Sequence, residues 1–585
     1  MVPRDYNTLV SFLKRREFFY GGNKMNFKHD FVECLYPALN GQLEQKQIVK
    51  MIEKPKFEQQ GDMAFPCFEL AKIYRRSPND IALAIVEKIN SPIFEKVEAV
   101  GGYVNVFLNR KDVSSKVVKE VLLQKEQYGK LDLGKNEVIT IDFSSPNIAK
   151  PFSMGHLRST VIGHSLALIA EKYGYSPIRI NHLGDWGTQF GKLIVAYKMW
   201  GDEKKVKEAP IKELLTLYVK FHEEAEKTPE LNDEGRAWFK RLENGDEEAR
   251  HLWKWFREES LKEFSKIYEL LGIHFDSYHG EAFYNDKMEL VVQMIEDRRL
   301  LEESQGAMVV QLSTEELPPC LITKKDGTTL YATRDLAAAL YRKENYRFTK
   351  SLYVVGHEQS LHFKQLFAVL KKMGFPWYEG MAHVPFGMIL KDGKKMSTRK
   401  GKVVLLEEVL EEAIQLARKD ILKKNPNLVA KEEVAHQVGV GAIIFHDLKN
   451  FRLNDIEFSL EDMLRFEGET GPYVQYTHAR AASLLRKGNY QEGKERMIED
   501  KEAWPIITAL MSFPDVIKRS YEQYDPSQIA KFLLDLSKAF NKYYAAVRIL
   551  DNSEQKLARL SLVYSVKIVL KEGLRLLGMA APEEM

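Results

Sequence analysis

Two stretches that lie far apart in the chain carry side chains suited to binding a polyphosphate. The first extends from Ser144 to Thr160 and contains Gly155 followed directly by His156. The second extends from Lys394 to Gly401 and combines several cations with serine, threonine and glycine. Glycine lets the backbone approach a ligand closely, while histidine, lysine and arginine donate hydrogen bonds to phosphate oxygens. Taken alone, the first stretch could be explained by a histidine that caps a turn, and the second by a solvent-exposed charged loop. The two together indicate a nucleotide site.

The elements around both stretches are predicted to place them at the edge of a sheet. Val138–Phe143 is a short apolar run with β-branched residues, typical of a buried parallel strand, and Leu157–Tyr173 has the composition of a helix. A strand-like run from Val384 to Leu390 precedes the second stretch. The first loop therefore offers backbone N–H groups and the positive end of a helix dipole to an anion.

The pattern of predicted elements divides the chain into domains. Residues 130–404 alternate strands and helices, which indicates a doubly wound parallel sheet, with a helical insertion at about 201–300. We expect this sheet to resume with a strand at 320–323. Residues 25–112 mix both patterns and predict a small α+β domain, whereas 405–585 lacks strand patterns and predicts an all-α bundle.

Two local patterns refine the prediction for residues 25–112. Asp80 is placed to cap the start of a helix that extends to Asn90. Tyr103–Asn109 alternates with a period of two, so it predicts a strand with one solvent-exposed face. Residues 1–24 hold many cations but no signal-peptide core, and we expect a poorly ordered extension there.

Composition sets limits on the class of protein. A chain of 585 residues is too long for one core, and its 86 basic and 83 acidic residues give a net charge of +3, which permits nucleic-acid binding only through local patches. Cys34, Cys67 and Cys320 have no paired spacing, which excludes a cysteine-based zinc site and a disulfide framework and fits the reducing cytoplasm. No apolar run reaches the length of a membrane span.

Together the two stretches resemble the paired HIGH and KMSKS motifs of class I aminoacyl-tRNA synthetases. Ser144–Pro151, Leu183–Gly187, Tyr331–Asp335 and Met396–Gly401 resemble the arginyl-tRNA synthetase family specifically, and the likeness covers residues 25–585. It implies a multidomain α/β protein with a Rossmann-like catalytic domain. It also implies an arginine–tRNA ligase that uses L-arginine, ATP with Mg²⁺ and tRNA(Arg), with no metal site built by the protein. We expect a monomer, because no coiled coil or exposed apolar stripe stands out.

The resemblance also implies the reaction and the residues that serve it. The arginine carboxylate attacks the α-phosphorus of ATP, and the terminal ribose hydroxyl of the tRNA then takes the arginyl group. The residues implied for charge neutralisation are His156, Lys395, Arg399, Lys150 and Ser153. Those implied for ATP binding are Gly155, His156, Met388, Lys395, Met396 and Ser397. Those implied for arginine binding are Ser145, Asn147, Glu281, Tyr331, Asp335 and Gln359.

The chemistry of arginine agrees with this last set. A planar guanidinium carries five N–H donors and is matched by carboxylates in a fixed geometry. Asp335 taken alone would also be explained as an acidic residue in the first turn of a helix. A hydrogen-bonded pocket rejects a misfitting amino acid by roughly 10⁴-fold, so the family needs no editing domain, and none is visible.

Four further residues are candidates for tRNA contact. By resemblance, the N-terminal domain grips the tRNA elbow, where Tyr103 and Asn105 would be exposed to a base; ordinary sheet packing is the alternative. The C-terminal bundle resembles the family's anticodon-binding domain, and there Tyr473 and Tyr476 would either stack on loop bases or belong to the core.

Two departures from the family motifs lead to a first prediction. Ser153 stands where the first motif usually has a histidine, and Thr398 stands where the second has a lysine. The family often combines the second change with a lysine ahead of the first motif, which is Lys150 here. We expect Lys150→Ala to slow arginyl-adenylate formation, measured by ATP–pyrophosphate exchange. An unchanged rate would show that Lys150 does not supply the missing cation.

Two competing functions stay open from the sequence. One is a paralogue that activates arginine without charging tRNA, against which the intact C-terminal bundle argues. The other is a catalytically inactive RNA-binding or scaffolding protein, for which Ser153 is the only hint. An ATP–pyrophosphate exchange assay with arginine, run with and without tRNA, separates the three. Exchange without tRNA points to the paralogue, and no exchange at all points to the inactive protein.

Overall fold

The computed structural model describes residues 27–324, 331–396, 398–399, 402–493 and 497–585. The extension expected at 1–24 and Ser397 lie outside these residues. The chain forms two compact units. One comprises residues up to Leu131 together with Arg480–Asp515 and Asp535–Leu570, and the other comprises Asp132–Ala479, Val516–Leu534 and Lys571–Met585.

The N-terminal part of the first unit is a three-stranded antiparallel sheet in the order β1-β3-β2, packed with helices. Its strands are β1 (Met63–Pro66), β2 (Phe94–Val100) and β3 (Tyr103–Leu108). Its helices are α1 (Phe27–Ala38), α2 (Gln45–Met51), α3 (Phe68–Tyr74), α4 (Pro78–Val86) and α5 (Arg110–Gln124).

Two expectations for this part are wrong. Helix α4 is capped by Ser77, whose hydroxyl accepts a hydrogen bond from the Asp80 N–H at 3.1 Å, because a serine followed by Pro78 is the stronger start signal. Asn105 is only 4% exposed, so the expected open face of β3 is closed there. Since β3 is the central strand, its neighbours and the helices cover residues that an edge strand would expose.

The second unit opens with the strand and helix predicted around the first stretch. Strand β4 (Val138–Asp142) leads through the loop and a 3₁₀ turn at Met154–His156 into α6 (Leu157–Tyr173), and β5 (Ser176–Ile180) follows. Gly163 lets α6 pack tightly, because a Cβ there would lie 2.2 Å from the Phe143 side chain. The predicted strand–loop–helix unit is therefore present.

The insertion contains both helices and a small sheet. Its helices are α7 (Thr188–Trp200), α8 (Glu203–Glu208), α9 (Pro210–Lys227), α10 (Glu230–Glu243), α11 (Glu247–Leu271) and α12 (Met288–Asp297). Its strands are β6 (Leu301–Ser304), β7 (Ala307–Val310) and β8 (Cys320–Thr323), which pair antiparallel. Residues 320–323 thus form a strand, but it pairs with its sequence neighbour rather than resuming the main sheet.

The main sheet is completed by two later strands. Helix α13 (Tyr331–Tyr346) precedes β9 (Lys350–Tyr353), and α14 (Ser360–Lys372) precedes β10 (Met381–His383). The four strands are all parallel in the order β10-β9-β4-β5. The chain first adds β5 on one side of β4, and later adds β9 on the other side of β4 and β10 beyond β9. This reversal of direction confirms a Rossmann-like sheet. Ligands bind such sheets at the carboxyl ends of the two strands where the order reverses, here β4 and β9.

The second predicted stretch lies in a set of very short strands. These are β11 (Ile389–Lys391), β12 (Lys394–Lys395), β13 (Thr398–Arg399) and β14 (Lys402–Val403). The expected single strand from 384 to 390 is therefore wrong in its extent. Strand β11 pairs antiparallel with β12 and parallel with β15 (Ile456–Glu457), a short strand inside the region predicted to be all helical.

The C-terminal part is otherwise helical. Its helices are α15 (Leu406–Lys424), α16 (Lys431–Leu448), α17 (Leu460–Met463), α18 (Gly471–Gly488), α19 (Trp504–Glu522), α20 (Ser527–Ala546) and α21 (Lys556–Leu576). Across the described ranges, no helix has the length and apolar character needed to cross a bilayer.

Candidate active site

The loop after β4 has an unusual backbone that several side chains hold in place. Ser144, Ser145 and Ala149 all have positive φ values, of 71°, 48° and 58°. Such conformations are costly for non-glycine residues and persist only where the surroundings fix them. The Ser144 N–H donates to Ser159 Oγ at 2.9 Å, and Ser144 Oγ lies 2.8 Å from the Tyr268 hydroxyl. The loop is therefore held by α6 and α11.

His156 is oriented by a reciprocal pair of hydrogen bonds with Ser153. The His156 N–H donates to Ser153 Oγ, and the Ser153 N–H donates to His156 Nδ1 at 3.2 Å. A backbone N–H can only donate, so Nδ1 accepts and the ring proton lies on Nε2. Burial and the nearby charge of Lys150 hold the pKa of His156 below its ordinary value. The neutral ring can thus donate from Nε2 to a phosphate oxygen.

The two predicted stretches meet at a small cavity of about 80 Å³. Four of the six residues implied for ATP binding line it: Gly155, Met388, Lys395 and Met396. The Lys395 side chain is exposed, whereas Met396 is buried. Ser397 lies outside the described residues, and β13 contains Arg399, whose side chain is likewise outside them. We call the 3₁₀ turn Met154–His156 the signature turn and the paired strands β11 and β12 the lysine hairpin. The structure therefore brings the signature turn and the lysine hairpin to one site.

A group of acidic side chains lies around the start of α13 in the same unit. Glu281 is 7% exposed, accepts a hydrogen bond from Tyr331, and has Oε2 at 3.6 Å from Arg334 Nη1. Asp335 Oδ2 lies 2.6 Å from His362 Nε2. Tyr331, Arg334 and Asp335 share one face of the first turn of α13. The structure thus places three of the predicted arginine-binding residues together, with a guanidinium of the protein already beside one carboxylate.

The two carboxylates differ in their protonation. Burial raises the pKa of Glu281 to about 7; Asp335 and Asp185 add to this increase, whereas Arg334 and Tyr331 oppose it. For Asp335, burial also favours the neutral form, but the hydrogen bond from His362 and the charges of His362, His182 and Arg342 hold the pKa below its usual value. Asp335 is therefore ionised at neutral pH, while Glu281 titrates there.

This difference predicts a pH dependence of arginine use. If the site takes a guanidinium, as the resemblance implies, this group would bind the ionised form of Glu281, whose fraction grows as pH rises through about 7. We expect the KM for arginine to fall by about tenfold between pH 6 and pH 8, as the ionised fraction rises by that factor. Initial rates of ATP–pyrophosphate exchange at several arginine concentrations measure it. The Glu281→Gln variant should lose most of this dependence, and an unchanged profile in that variant would contradict the assignment.

The other three predicted arginine-binding residues lie after β4 and β9. Ser145 Oγ donates to Asp142 Oδ1 at 2.9 Å, so its hydroxyl is already engaged. Asn147 is exposed, and its backbone forms a β-bridge with Gly184. A Cβ on Gly184 would lie 2.1 Å from Asn147 Oδ1, so only glycine leaves room for this side chain. Gln359 is exposed on the 3₁₀ turn that follows β9. All three therefore lie near the point where the strand order reverses.

Sequence reasoning missed the basic residues that face the carboxylates. His362 and His182 approach Asp335 at 2.6 and 3.8 Å, and Arg342 Nη2 lies 2.7 Å from Asp142 Oδ2. Arg334 is next to Asp335 in the chain, and His362 is three residues beyond Gln359, so proximity in sequence was an available signal. It was a weak one, because single basic residues in helices usually face solvent.

The residues predicted to contact tRNA have different environments. Asn105 is buried, and Tyr103 is half-buried with its ring edge-on to Phe68 at 5.2 Å between centroids. Tyr473 is half-buried in α18, and Tyr476 is 36% exposed. Exposure thus favours Tyr476 for base stacking and argues against Asn105.

Comparisons with known proteins agree along nearly the whole chain. Residues 117–460 match the family model of the class I tRNA synthetase (R) catalytic domain, 474–585 match the DALR anticodon-binding domain, and 26–108 match the arginyl-tRNA synthetase N-terminal domain. Arginine–tRNA ligase 2 of Bacillus anthracis is 62% identical over 562 residues, covering 96% of this chain and all of that protein. The arginine–tRNA ligase of Enterococcus faecalis is 61% identical over 563 residues, with the same coverage.

Solved structures give the same result. The Thermus thermophilus arginyl-tRNA synthetase superimposes with a TM-score of 0.77 at 25% identity, covering 96% of this chain and all of the other. The Plasmodium falciparum arginyl-tRNA synthetase has the same TM-score at 26% identity, covering 96% and 98%.

Proposed function

The chain belongs to the arginyl-tRNA synthetase family and charges tRNA(Arg) with arginine, and we propose that it does so with the two sites described above. The observation that carries this assignment of residues is the meeting of Gly155 and Lys395 at one cavity. The inactive alternative has no support in the relatives, which are curated arginine–tRNA ligases over their full length.

In the first step the arginine carboxylate attacks the α-phosphorus of ATP, and pyrophosphate leaves. The substrate supplies the nucleophile, so the protein has only to align the reactants and neutralise the charge that develops on the phosphates. His156 donates from Nε2, and the ammonium groups of Lys395 and Lys150 supply positive charge. The influence of Lys150 on the pKa of His156 supports its placement beside this site.

Magnesium enters with the nucleotide in this proposal. Among the described residues, no group of three or more histidine, cysteine or acidic side chains is arranged to hold a metal ion. The described side chains at the ATP cavity are mainly apolar or cationic, and Glu358 is the one acidic residue among them. Mg²⁺ would therefore be coordinated chiefly by the phosphates of ATP, as is usual for this ion.

Arginine is selected by its side chain at Asp335, Glu281 and Tyr331. The oxygens of two carboxylates and a phenol can accept hydrogen bonds from the N–H groups of the planar guanidinium. The hydrogen bond from His362 fixes the orientation of Asp335. A lysine ammonium would leave some of these acceptors unpaired, which is costly for a buried one such as the Glu281 carboxylate. Asn147, Gln359 and Ser145, at the ends of β4 and β9, would hold the α-amino and carboxylate groups.

In the second step the terminal ribose hydroxyl of tRNA attacks the carbonyl of the adenylate. We propose that residues 25–112 bind the tRNA elbow, with Tyr103 as a contact. Residues 405–585 would bind the anticodon, with Tyr473 and Tyr476 as contacts. We further propose that the protein acts as a monomer in the cytoplasm, where Cys34, Cys67 and Cys320, all free thiols, would stay reduced.

One pair of assays tests this function. The purified protein should exchange pyrophosphate into ATP when arginine and tRNA(Arg) are both present, and it should attach labelled arginine to that tRNA. Exchange without charging would indicate the paralogue that activates arginine only. The absence of both would contradict the assignment.

A further inference from the structure

Arg158 is a buried cation close to the signature turn that the mechanism above does not use. It lies two residues after His156 in the first turn of α6 and is 1% exposed. Its Nε donates to Asp447 Oδ2 at 3.1 Å, and its Nη1 donates to the Asn454 carbonyl at 2.8 Å. The Arg158 guanidinium thus connects α6 to α16 and to the segment that leads into β15.

The segment held by Arg158 also holds one wall of the ATP cavity. The Met388 N–H donates to Asp455 Oδ1 at 2.7 Å, and the Ile456 N–H donates to the Met388 carbonyl at 2.9 Å. The Gly387 N–H donates to the Arg452 carbonyl at 2.9 Å. Residues 386–389 line the cavity together with Arg158. A shift of residues 452–456 would therefore move this wall away from the signature turn.

The Arg158–Asp447 pair is poorly explained by stability alone. Both side chains are 1% exposed, and Arg158 Nη2 and Asp447 Oδ1 have no hydrogen-bond partner within the described part of the chain. Burying two charges is costly, and a buried pair adds little net stability unless its remaining atoms are satisfied. An incomplete pair at the edge of a ligand cavity is more consistent with a role in setting geometry.

We propose that Arg158, anchored by Asp447, is a positioning residue for ATP. It holds residues 386–389 at a set distance from Gly155 and His156, so that the nucleotide fits between the wall and the turn. Strand β11 continues from this wall into the Lys395 hairpin, so the same contacts also set the path of Lys395. The inference rests on the ATP site proposed above.

Two variants test the role, and the control alters another buried ion pair that involves α6. Arg158→Lys keeps the charge but cannot span both Asp447 and Asn454, and Asp447→Asn removes the anchor while keeping its volume. We expect each to raise the KM for ATP by about tenfold in tRNA-dependent exchange, with the KM for arginine within about twofold of the parent. The control is Glu572→Gln, which neutralises one partner of the buried Lys172–Glu572 pair, whose atoms lie 2.8 Å apart between α6 and α21.

The control should lower the thermal unfolding midpoint and leave both KM values unchanged. If Arg158→Lys and Asp447→Asn fold and keep the parent KM for ATP, or raise both KM values equally, the positioning role is wrong. Lys395→Ala measured in parallel separates this from a failure of the ATP site. A large loss of exchange in Lys395→Ala with a parent-like KM in both test variants overturns only the role of Arg158. A fully active Lys395→Ala overturns the site itself.

Discussion

Lys395→Ala is expected to lower the rate of ATP–pyrophosphate exchange by about 100-fold. Lys395 lines the cavity that Gly155 also lines, and its side chain is exposed. Negative charge shifts onto the departing pyrophosphate during adenylate formation, so a cation placed there stabilises the transition state more than the bound substrates. The loss should therefore appear mainly in kcat, with a smaller change in the KM for ATP.

Lys394→Ala is the matched control for this prediction. Lys394 is the other residue of strand β12 and is equally exposed, but it does not line the cavity. Both variants remove one surface charge from the same hairpin, so general electrostatic and folding effects should be alike. Equal loss of activity in the two variants would mean that the hairpin attracts ATP only through its overall charge.

Asp335→Asn should impair arginine use by at least about 100-fold in kcat/KM. The substitution keeps the volume and the packing of the side chain, but it replaces an ionised acceptor with an amide. If the amide keeps its oxygen toward His362, its NH₂ group meets the N–H donors of the guanidinium. The KM for ATP should change by less than about threefold, because the ATP cavity is built from other residues.

Glu344→Gln provides the comparison for Asp335→Asn. Glu344 lies on the same helix, α13, but is exposed. Its neutralisation should leave the kinetics of both substrates unchanged. A parent-like KM for arginine in Asp335→Asn would remove Asp335 from the arginine site.

The chemistry that could be predicted from sequence was local. Gly155 and His156 follow a strand of the main sheet as expected, and Lys395 lines the same cavity as Gly155, although it belongs to strand β12 of a separate small sheet. The expectation that Asp80 caps α4 is wrong, because Ser77 followed by Pro78 is a stronger local start signal. That error lies in the weighing of two local signals.

The features that could not be predicted depend on contacts between distant segments. Asn105 is buried although β3 alternates in sequence, because β3 is packed between two strands and contacts helix α4, which alternation within one strand does not reveal. The bond between His362 and Asp335 joins α13 with α14, and Arg158 pairs with Asp447 of α16, which lies 289 positions further along the chain. Each of these residues looks ordinary in its own sequence neighbourhood, so only the folded arrangement identifies its partner.

The most direct test of the account is a crystal structure with L-arginine and a non-hydrolysable ATP analogue. We expect the guanidinium to lie within hydrogen-bond distance, about 3 Å, of the carboxylates of Asp335 and Glu281, with Arg334 moved aside. The phosphates should contact His156 Nε2 and the Lys395 ammonium. Arginine bound away from Asp335, or a Lys395 hairpin that does not touch the nucleotide, would contradict the proposed site.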